Sequence, residues 1–430
     1  MLADTDLSVV VLGLGYIGLP TAAVIARTGA RVLGVDVTPS VVETVNSGKV
    51  HIEEVDLDAL VSGVVARGTL RASTQIAAAD VFVIAVPTPF SADHQPDIGY
   101  VLRAATTIAA VLKRGDTVIL ESTSPVGTTE QVRDLIAELR PDLTTPGRGS
   151  EADVAIAYCP ERVLPGRILH ELIANDRVIG GITPRCARKA LGFYRRFVRG
   201  ACVTTNAKAA EMTKLAENAF RDVNIAFANE LSLVADRMGV DVWEVIRLAN
   251  RHPRVEILQP GPGVGGHCIA VDPWFLVAAA PEQTPLIRTA RLVNDGKVDH
   301  VVAQAAALLD AVPGVPVACL GLAFKANIDD FRESPALAVS VALARRFGNR
   351  VRIVEPYASA LPAAFAGTGA QLTDLDTALA TCPLMVVLVD HDLFRSVPVE
   401  ERVGKTILDT RGIWLDQPRA LPAPPLRLAS

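Results

Sequence analysis

The sequence lacks paired cysteines. Its six cysteines stand far apart in a chain of 430 residues, at positions 159, 186, 202, 268, 319 and 382. The absence of a CxxC pair argues against a zinc knuckle and against a disulfide framework. We therefore expect no metal site, and we expect most of the thiols to be small buried side chains.

Long apolar runs are missing as well. Half of the residues are hydrophobic and the mean hydropathy is +0.32, yet we find no membrane-length apolar run free of charge, proline and glycine. The excess of Ala, Val and Leu predicts buried strands and helices, not a membrane span. Residues 1–6 contain acids and no basic segment, so we expect no secretory signal and a cytoplasmic protein.

A basic surface is also absent. The formal net charge is -5 and the isoelectric point is about 5.9, which argues against nucleic acid as a partner. A phosphate-bearing ligand must then be held by local groups. The length of the chain suits two or three domains, each large enough to bury its own core.

Both halves of the chain show the pattern of alternating strands and helices. In the amino half, predicted strands lie at 7–12, 31–36, 80–86 and 117–120. In the carboxyl half, they lie at 317–320, 350–355, 384–390 and 406–409. This order predicts an α/β protein with two Rossmann-like doubly wound domains. Residues 207–238 contain no proline or glycine, which predicts a long central helix joining the halves.

A glycine-rich motif follows the first predicted strand. Residues 13–18 read GLGYIG, with Gly13, Gly15 and Gly18 opening a helix and Asp36 ending the next strand. Such glycines let a pyrophosphate approach the helix amino terminus, and the carboxylate accepts hydrogen bonds from a ribose 2'-hydroxyl. Because Asp36 would repel a 2'-phosphate, NAD is favoured over NADP. A glycine turn kept only for packing is the alternative.

The carboxyl half has a reduced form of this motif. Residues 321–325 read GLAFK, without the second and third glycines, so we do not expect the same dinucleotide site. A uridine diphosphate would suit the ring of Phe324 and the ammonium group of Lys325. A solvated lysine after a core phenylalanine would have the same sequence.

A second glycine-rich segment ends in a thiol. Residues 261–268 read GPGVGGHC, and Asp272 follows. A loop of this kind brings backbone N–H groups close to a ligand and leaves Cys268 reachable. A lone cysteine is more often a buried side chain, but the glycines favour a reactive one.

Two further segments carry candidate catalytic groups. On the predicted central helix, Lys214, Asn218 and Arg221 recur at spacings of four and three, which places them on one face. A lysine beside an amide can stabilise an alkoxide, although a solvated polar stripe has the same spacing. Glu161 lies in a proline-flanked loop, where a carboxylate can activate water; a surface glutamate is the alternative.

These residues resemble the UDP-glucose/GDP-mannose dehydrogenase family over about residues 7–414. The most specific stretches are 156–166, 175–181, 211–231, 248–275 and 321–335. The resemblance implies an NAD-binding domain at 1–205, a central helical dimerisation region at 206–305 and a UDP-sugar-binding domain at 306–430. It also implies a homodimer with a shared active site.

The resemblance implies a set of site residues. The implied catalytic residues are Cys268 as nucleophile and Lys214 as proton donor and acceptor. In the mechanism that we expect, Asn218 also stabilises the alkoxide, and Glu161 activates a water molecule ordered by Thr123 and Asp272. Around NAD it implies Gly13, Gly15, Tyr16, Ile17, Gly18, Asp36, Thr88, Thr129 and Arg332. Around the nucleotide sugar it implies Arg162, Val163, Lys214, Asn218, Arg221, Gly265, Phe324, Lys325 and Arg411, with His252 and Arg254 reaching the partner's site.

One departure from the family pattern bears on the substrate. UDP-glucose members have an aromatic residue directly after the glutamate and a second glutamate four positions after it, where this chain has Arg162 and Pro165. This difference favours the branch that acts on N-acetylated sugars. We expect four-electron oxidation of UDP-N-acetyl-D-mannosamine at C6 to the uronate, through a thiohemiacetal and a thioester, for bacterial surface polysaccharides.

Other functions stay open from the sequence. UDP-N-acetylglucosamine and UDP-N-acetylgalactosamine differ from that substrate only in the orientation of the acetamido group or of the acetamido group and one hydroxyl. A two-electron hydroxyacid-type dehydrogenase would use Lys214 and Asn218 without a thiol, and Cys268 argues against it. An NAD-binding regulatory protein without chemistry is expected to have lost Cys268, Lys214 or Glu161, and all three are present.

Overall fold

The computed structural model describes residues 7–52, 54–91, 93–147, 151–164, 166–266 and 268–414. The chain divides into two compact units. The amino unit is Met1–Glu217 with Trp274–Pro281, and the carboxyl unit is Asn218–Pro273 with Glu282–Ser430. The predicted division into three regions stays a prediction, and its first and last residues lie outside the described ranges. Pro165, which bears on the predicted substrate, also lies outside them. Across the described ranges, we find no helix with the length and apolar character of a membrane span.

The amino unit contains one eight-stranded sheet. Its strands are β1 Ser8–Leu12, β2 Arg31–Val35, β3 Leu70–Ser73, β4 Val81–Ile84, β5 Thr117–Leu120, β6 Ala155–Tyr158, β7 Arg177–Gly181 and β8 Cys202–Asn206. They lie in the order β3-β2-β1-β4-β5-β6-β7-β8. All neighbours are parallel except β6 and β7, which are antiparallel. The carboxyl ends of β1, β4, β5 and β6 therefore share one edge of the sheet.

Helices cover both faces of this sheet. They are α1 Gly18–Arg27, α2 Pro39–Asn46, α3 Leu57–Ala66, α4 Gly99–Ala109, α5 Thr128–Leu139, α6 Ile168–Ala174, α7 Pro184–Tyr194 and α8 Ala207–Met238, which continues into the carboxyl unit. Val9 and Val11 of β1 belong to one buried cluster, whereas Val10 and Leu12 belong to another. Burial on both faces explains why the strands read as continuous apolar runs.

The carboxyl unit contains a smaller sheet of the same kind. Its elements in chain order are α9 Val242–Ala249, α10 Asp272–Ala279, α11 Pro285–Ala311, β9 Val317–Leu320, α12 Pro335–Phe347, β10 Val351–Val354, β11 Gln371–Leu372, α13 Leu375–Thr381, β12 Leu384–Val387, α14 Asp392–Arg395, α15 Val399–Arg402 and β13 Thr406–Asp409. Helix α10 ends in the amino unit. Two 3-10 turns, Gly348–Arg350 and Ala363–Phe365, lie on either side of β10. The strand order β11-β10-β9-β12-β13 is all parallel.

The predicted α/β class with two Rossmann-like domains is confirmed. Three predicted strands (117–120, 317–320 and 406–409) and the long helix (207–238) have the predicted bounds. Other strands are shorter than predicted, as β4 is, because residues at one or both predicted ends lie outside the strand ladder. The first five strands of the amino sheet and the five strands of the carboxyl sheet have the same order, which is the order of a doubly wound half.

Candidate active site

The glycine motif forms a tight turn between β1 and α1. Gly13 has φ +89° and donates its N–H to the Val35 carbonyl at 2.8 Å. A Cβ on Gly18 would lie 1.8 Å from the Gly13 carbonyl oxygen, whereas a Cβ on Gly15 would meet nothing within 4 Å. Gly13 and Gly18 are thus required by the turn itself. Gly15 leaves open space at the amino terminus of α1, which a pyrophosphate needs.

Asp36 closes the same turn from the end of β2. One carboxylate oxygen accepts the Leu14 N–H and the other accepts the Thr38 N–H, both at 2.9 Å. The carboxylate is half-buried and stands beside the open space over Gly15. Each oxygen keeps a second lone pair for a ribose hydroxyl. The residues of this turn fit NAD.

The carboxyl unit contains a similar glycine turn, in which a different acidic residue accepts the backbone N–H groups. Gly321 donates its N–H to Val354 at 2.8 Å, as Gly13 does to Val35. Here the acid is Glu355, whose Oε2 accepts the N–H groups of Leu322 at 2.6 Å and Ala323 at 3.2 Å. Glu355 is only 4% exposed. Asp36 accepts the corresponding Leu14 N–H as well, so the difference lies at Ala323, which stands where the first turn has Gly15 and whose N–H Glu355 also accepts. This difference gives a physical reason for expecting no second dinucleotide site of the same kind.

The two threonines predicted around NAD, Thr88 and Thr129, both form hydrogen bonds to distant parts of the chain. The Thr88 hydroxyl donates to the Thr123 carbonyl at 2.6 Å. The Thr129 hydroxyl and N–H, together with the Gly127 N–H, donate to the carboxylate of Glu211 at 2.6 to 2.8 Å. Glu211 is fully buried on α8, so this helix is clamped to the first turn of α5.

Glu161 and Lys214 form a buried pair in the amino unit. Glu161 follows β6, Lys214 lies on α8, and the Nζ to Oε1 distance is 3.4 Å. The two residues are 8% and 5% exposed, so Glu161 is not a surface glutamate and Lys214 does not belong to a solvated stripe. A buried ammonium group beside a buried carboxylate can stabilise an anionic oxygen and pass protons.

Cys268 lies in the carboxyl unit, at the loop that enters α10. Its carbonyl accepts the N–H of Asp272 at 2.8 Å, and the Asp272 carboxylate accepts the Asn218 amide at 2.5 Å. Asp272 is 2% exposed, whereas Cys268 is half-buried and unoxidised. A fully buried core thiol is therefore not what the structure has. The side chains of Asn218 and Asp272 are thus joined, and the backbone of Cys268 is hydrogen-bonded to that of Asp272.

The chain belongs to the UDP-glucose/GDP-mannose dehydrogenase family. Its NAD binding domain matches residues 7–198, its central domain 208–296 and its UDP binding domain 318–416. The resemblance inferred from the motifs is confirmed, and so is NAD as the cofactor. This member is an NAD-dependent UDP-sugar dehydrogenase.

Relatives with named activities are similar over nearly the whole chain. A UDP-N-acetyl-D-mannosamine dehydrogenase of Yersinia pestis is 56% identical over 413 residues, or 94% of this chain and 98% of that protein. An NDP-N-acetyl-D-galactosaminuronic acid dehydrogenase of Ralstonia nicotianae is 54% identical over 405 residues, or 94% and 95%. The solved structure of the UDP-D-ManNAc dehydrogenase from Pyrococcus horikoshii is 40% identical with a TM-score of 0.84, covering 96% of this chain and 97% of that one.

In this family member, the thiol loop is packed tightly against the predicted uridine ring contact. A Cβ on Gly266, which has φ +84°, would lie 2.8 Å from the Phe324 ring. A Cβ on Gly265 would lie 2.4 Å from the Glu333 carbonyl oxygen and 3.0 Å from Phe324 Cβ. These glycines are therefore required by packing, in addition to any approach of a ligand. Phe324 and Lys325 are both half-buried.

The predicted arginines lie in three settings. Arg411 donates to Asp390 at 2.8 Å, and its guanidinium lies against Gly261 at the start of the thiol loop. Arg162 forms a 2.7 Å ion pair with Glu217 in the amino unit. Arg332 forms a 2.5 Å ion pair with Asp330. A substrate phosphate or carboxylate would have to share or replace these acids.

The remaining predicted side chains differ in exposure. Arg221, His252 and Arg254 are exposed, and the Arg254 N–H donates to His252 Nδ1 at 3.3 Å. Val163 packs partly against a small apolar cluster beside α6. Tyr16 and Ile17 are half-buried in the NAD turn. No group of three metal-binding side chains is found among the residues that the structure describes.

Sequence reasoning missed several residues that support the site. Glu211 is one of them, and a polar ladder between α8 and α11 is another. In that ladder, the Asn229 amide donates to Asn294 at 2.8 Å and its oxygen accepts the Gly261 N–H at 2.9 Å. Arg291 and Asp222 form a buried 2.6 Å ion pair in the same ladder. The regular spacing of polar residues on α8 was the available signal, but a solvated face would have the same spacing.

Proposed function

We propose that this UDP-sugar dehydrogenase oxidises the C6 alcohol of UDP-N-acetyl-D-mannosamine to the uronate in two steps, with Cys268 as the covalent nucleophile. The observation that carries the proposal is that the half-buried Cys268 lies one helical turn before the buried Asp272, whose carboxylate accepts the Asn218 amide. A two-electron enzyme would need no thiol in this segment. The buried pair of Lys214 and Glu161 supports a further step that uses a base.

NAD, when bound, accepts the hydride that leaves C6 in each of two oxidations. In the first oxidation a base takes the hydroxyl proton, a role open to Lys214 in its neutral form, and the loss of proton and hydride leaves an aldehyde. The Cys268 thiolate then adds to the aldehyde carbon, and Lys214 and Asn218 stabilise the alkoxide of this thiohemiacetal. Because a free thiol with a pKa of about 8.5 is mostly protonated at neutral pH, a neighbouring base must assist. Loss of the second hydride leaves a thioester on Cys268.

Glu161 ends the reaction by activating water. The carboxylate takes a proton from a water molecule ordered by Thr123 and Asp272, and the water oxygen bonds to the thioester carbon. The C–S bond then breaks, and the thiol of Cys268 is restored with the uronate as product. The ammonium group of Lys214, 3.4 Å from Glu161, offsets the negative charge that develops on the carbonyl oxygen.

The choice of sugar is supported by the relatives and by one local difference. Several relatives at 55–56% identity are named UDP-N-acetyl-D-mannosamine dehydrogenases. Arg162 stands where UDP-glucose members have an aromatic residue, which favours an N-acetylated sugar. A second candidate is the galactosamine epimer, because relatives at 54% identity are named for galactosaminuronic acid. The uronate would supply bacterial surface polysaccharides, with the reaction in the cytoplasm.

A homodimer with a shared active site is part of the proposal. His252 and Arg254 are exposed and would reach the sugar bound by the partner. On α8, Phe220, Phe227 and Val234 recur every seven residues and are 68%, 56% and 46% exposed. An apolar stripe at this spacing is typical of a helix that packs against another helix. A second copy of the chain is the partner that would cover it.

Product analysis of the purified enzyme tests the function. With UDP-N-acetyl-D-mannosamine and NAD, the wild type is expected to form two NADH per uronate with little free aldehyde. The epimeric UDP-N-acetylhexosamines, assayed alongside, identify the sugar. Cys268→Ser should bind both ligands yet lose uronate formation by orders of magnitude, because a serine hydroxyl is a poor nucleophile here. Cys202→Ser, at another half-buried thiol, is the matched control. One NADH per aldehyde from the wild type contradicts the proposal.

A further inference from the structure

A buried acid and a buried arginine lie behind Glu161, and the reaction as described gives them no role. Glu121 follows β5 and is fully buried, and Arg177 begins β7 and is 1% exposed. Their closest charged atoms are 3.7 Å apart. Neither carboxylate oxygen of Glu121 has a hydrogen-bond partner with normal geometry among the described residues, although the nearby Thr21 hydroxyl lowers its pKa. Burying charged groups away from water lowers the stability of a protein unless they are paired. We therefore expect this buried pair to have a role.

Arg177 holds the backbone next to the candidate catalytic carboxylate. Its Nη1 donates to the Pro160 carbonyl at 3.4 Å, and its Nη2 donates to the Leu172 carbonyl at 3.3 Å. In the antiparallel register of β6 and β7, Tyr158 lies opposite Gly180. Pro160, whose carbonyl Arg177 holds, directly precedes Glu161 in the chain. The guanidinium therefore lies between the Glu121 carboxylate and the segment that presents Glu161.

Among the groups that act on Glu121, one cation, Arg177, interacts with two acids, Glu121 and Glu161. Arg177, Glu161, Cys159 and Tyr194 all interact electrostatically with it. Burial raises the pKa of Cys159 to about 12 and raises that of Tyr194 well above its usual value, so both stay neutral. Burial also raises the pKa of Glu121 to about 7, although the charge of Arg177 opposes this shift. Glu121 can thus change its charge near neutral pH.

We propose that Glu121 and Arg177 are positioning residues for Glu161, Arg177 by holding the Pro160 carbonyl and Glu121 by offsetting the charge that Arg177 directs at Glu161. The inference rests on the proposed function, in which Glu161 takes a proton from the water that hydrolyses the thioester. When Glu121 is neutral, the charge of Arg177 acts undiminished on the segment that presents Glu161 and opposes the arrival of a proton there. When Glu121 is ionised, its charge offsets that of Arg177 and the proton transfer from water is easier. Hydrolysis should therefore speed up as the pH rises through about 7.

The test measures thioester hydrolysis in single turnovers across about pH 5.5 to 9, by rapid quench and mass spectrometry of Cys268. The wild-type rate is expected to rise through pH 7. Glu121→Gln resembles the protonated residue at every pH, so it should keep the low-pH rate throughout and be roughly tenfold slower than the wild type at about pH 8.5. The dissociation constants for NAD and the UDP-sugar should stay unchanged.

Arg177→Lys distinguishes the hydrogen bonds of Arg177 to two carbonyls from its positive charge beside Glu121. It keeps a cation near Glu121 but cannot hold two carbonyls with one planar fork. Hydrolysis should slow by roughly 10- to 100-fold at every pH, with the rise through pH 7 retained. This variant decides the question if Glu121→Gln fails to fold. Asp116→Asn is the matched control, because Asp116 is a buried acid with a burial-raised pKa at the opposite end of β5.

Each outcome has one meaning. The inference is overturned if the hydrolysis rate of Glu121→Gln rises through pH 7 as much as that of the wild type, or if Arg177→Lys hydrolyses the thioester at the wild-type rate. The proposed function stands in both cases. A wild type that forms no thioester and releases aldehyde with one NADH contradicts the proposed function itself. The inference is also overturned if Asp116→Asn changes the pH dependence of hydrolysis as much as Glu121→Gln does. That result would mean that the loss of any buried acid of this sheet changes the rate.

Discussion

The Nζ of Lys214 lies 3.4 Å from Oε1 of Glu161, and both side chains are buried at the carboxyl edge of the amino sheet. The two residues are 53 positions apart in the chain. Lys214 comes from the long helix and Glu161 from the loop after β6, so the tertiary structure alone brings this cation and this anion together. The pair can serve both the oxidation and the hydrolysis that we propose.

We predict that Lys214→Met lowers kcat by about 100-fold or more, because it removes a proton carrier and an alkoxide-stabilising charge. Steady-state NADH formation measures the loss, and calorimetric titration should show that NAD still binds. Lys208→Met is the control on the same helix, since Lys208 is exposed and pairs with Glu130 at 2.8 Å. Equal activity of Lys214→Met and Lys208→Met would exclude a catalytic role for Lys214.

Glu161→Gln is predicted to trap a sugar thioester on Cys268. The amide is nearly isosteric but accepts no proton from water, so hydrolysis should slow while both oxidations continue. Intact-protein mass spectrometry after mixing with substrate and NAD would detect the adduct. The double variant with Cys268→Ser should carry none. If Glu161→Gln turns over without an adduct, the carboxylate is not the hydrolytic base.

Asp36→Ala is predicted to narrow the preference for NAD over NADP. The wild-type carboxylate would repel a 2'-phosphate, so its removal should lower KM for NADP relative to NAD. The variant also loses the acceptors of the Leu14 and Thr38 N–H groups, and both KM values should rise for that reason. Asp36→Asn, which keeps one acceptor without the charge, separates the two effects. Comparable wild-type turnover with both cofactors would refute the assignment.

Phe227→Glu is predicted to weaken the proposed homodimer and to lower activity with it. A charge in the exposed stripe of α8 would have to be buried between two copies, which costs more than burying the ring. Light scattering after size exclusion measures the mass, and activity is assayed at the same concentrations. Val403→Glu, at an exposed valine of the carboxyl unit, is the control. A fully active monomer would contradict the shared active site.

The raised pKa of Glu121 also predicts how stability depends on pH. Folding favours the protonated carboxyl group, so its contribution is complete below the ordinary pKa of 4.5 and is lost as the pH rises through about 7. Relative to Glu121→Gln, the wild type should therefore lose up to about 3 kcal/mol of unfolding free energy between about pH 4.5 and 8. Denaturant unfolding of both proteins at the two ends of this range measures the change. A constant difference would mean that Glu121 stays ionised throughout.

The amino-acid sequence alone determined the class of the fold and the position of most strands that carry the site. Buried parallel strands are continuous apolar runs, and a helix such as α8 is free of proline and glycine, so both patterns are local. The glycine turn with Asp36 was predictable for the same reason. Its spacing reports a backbone conformation within one βαβ unit.

Only the tertiary structure decided which polar groups meet. The antiparallel turn of β7 brings Arg177 beside Glu121, and Glu211 reaches Thr129 across 82 positions. No local period encodes such contacts, because they depend on where distant strands and helices end in space. The same is true of Glu355, which occupies the backbone donors of the second glycine turn. Local propensity specifies the elements, whereas burial and the pairing of charges across the fold specify the site.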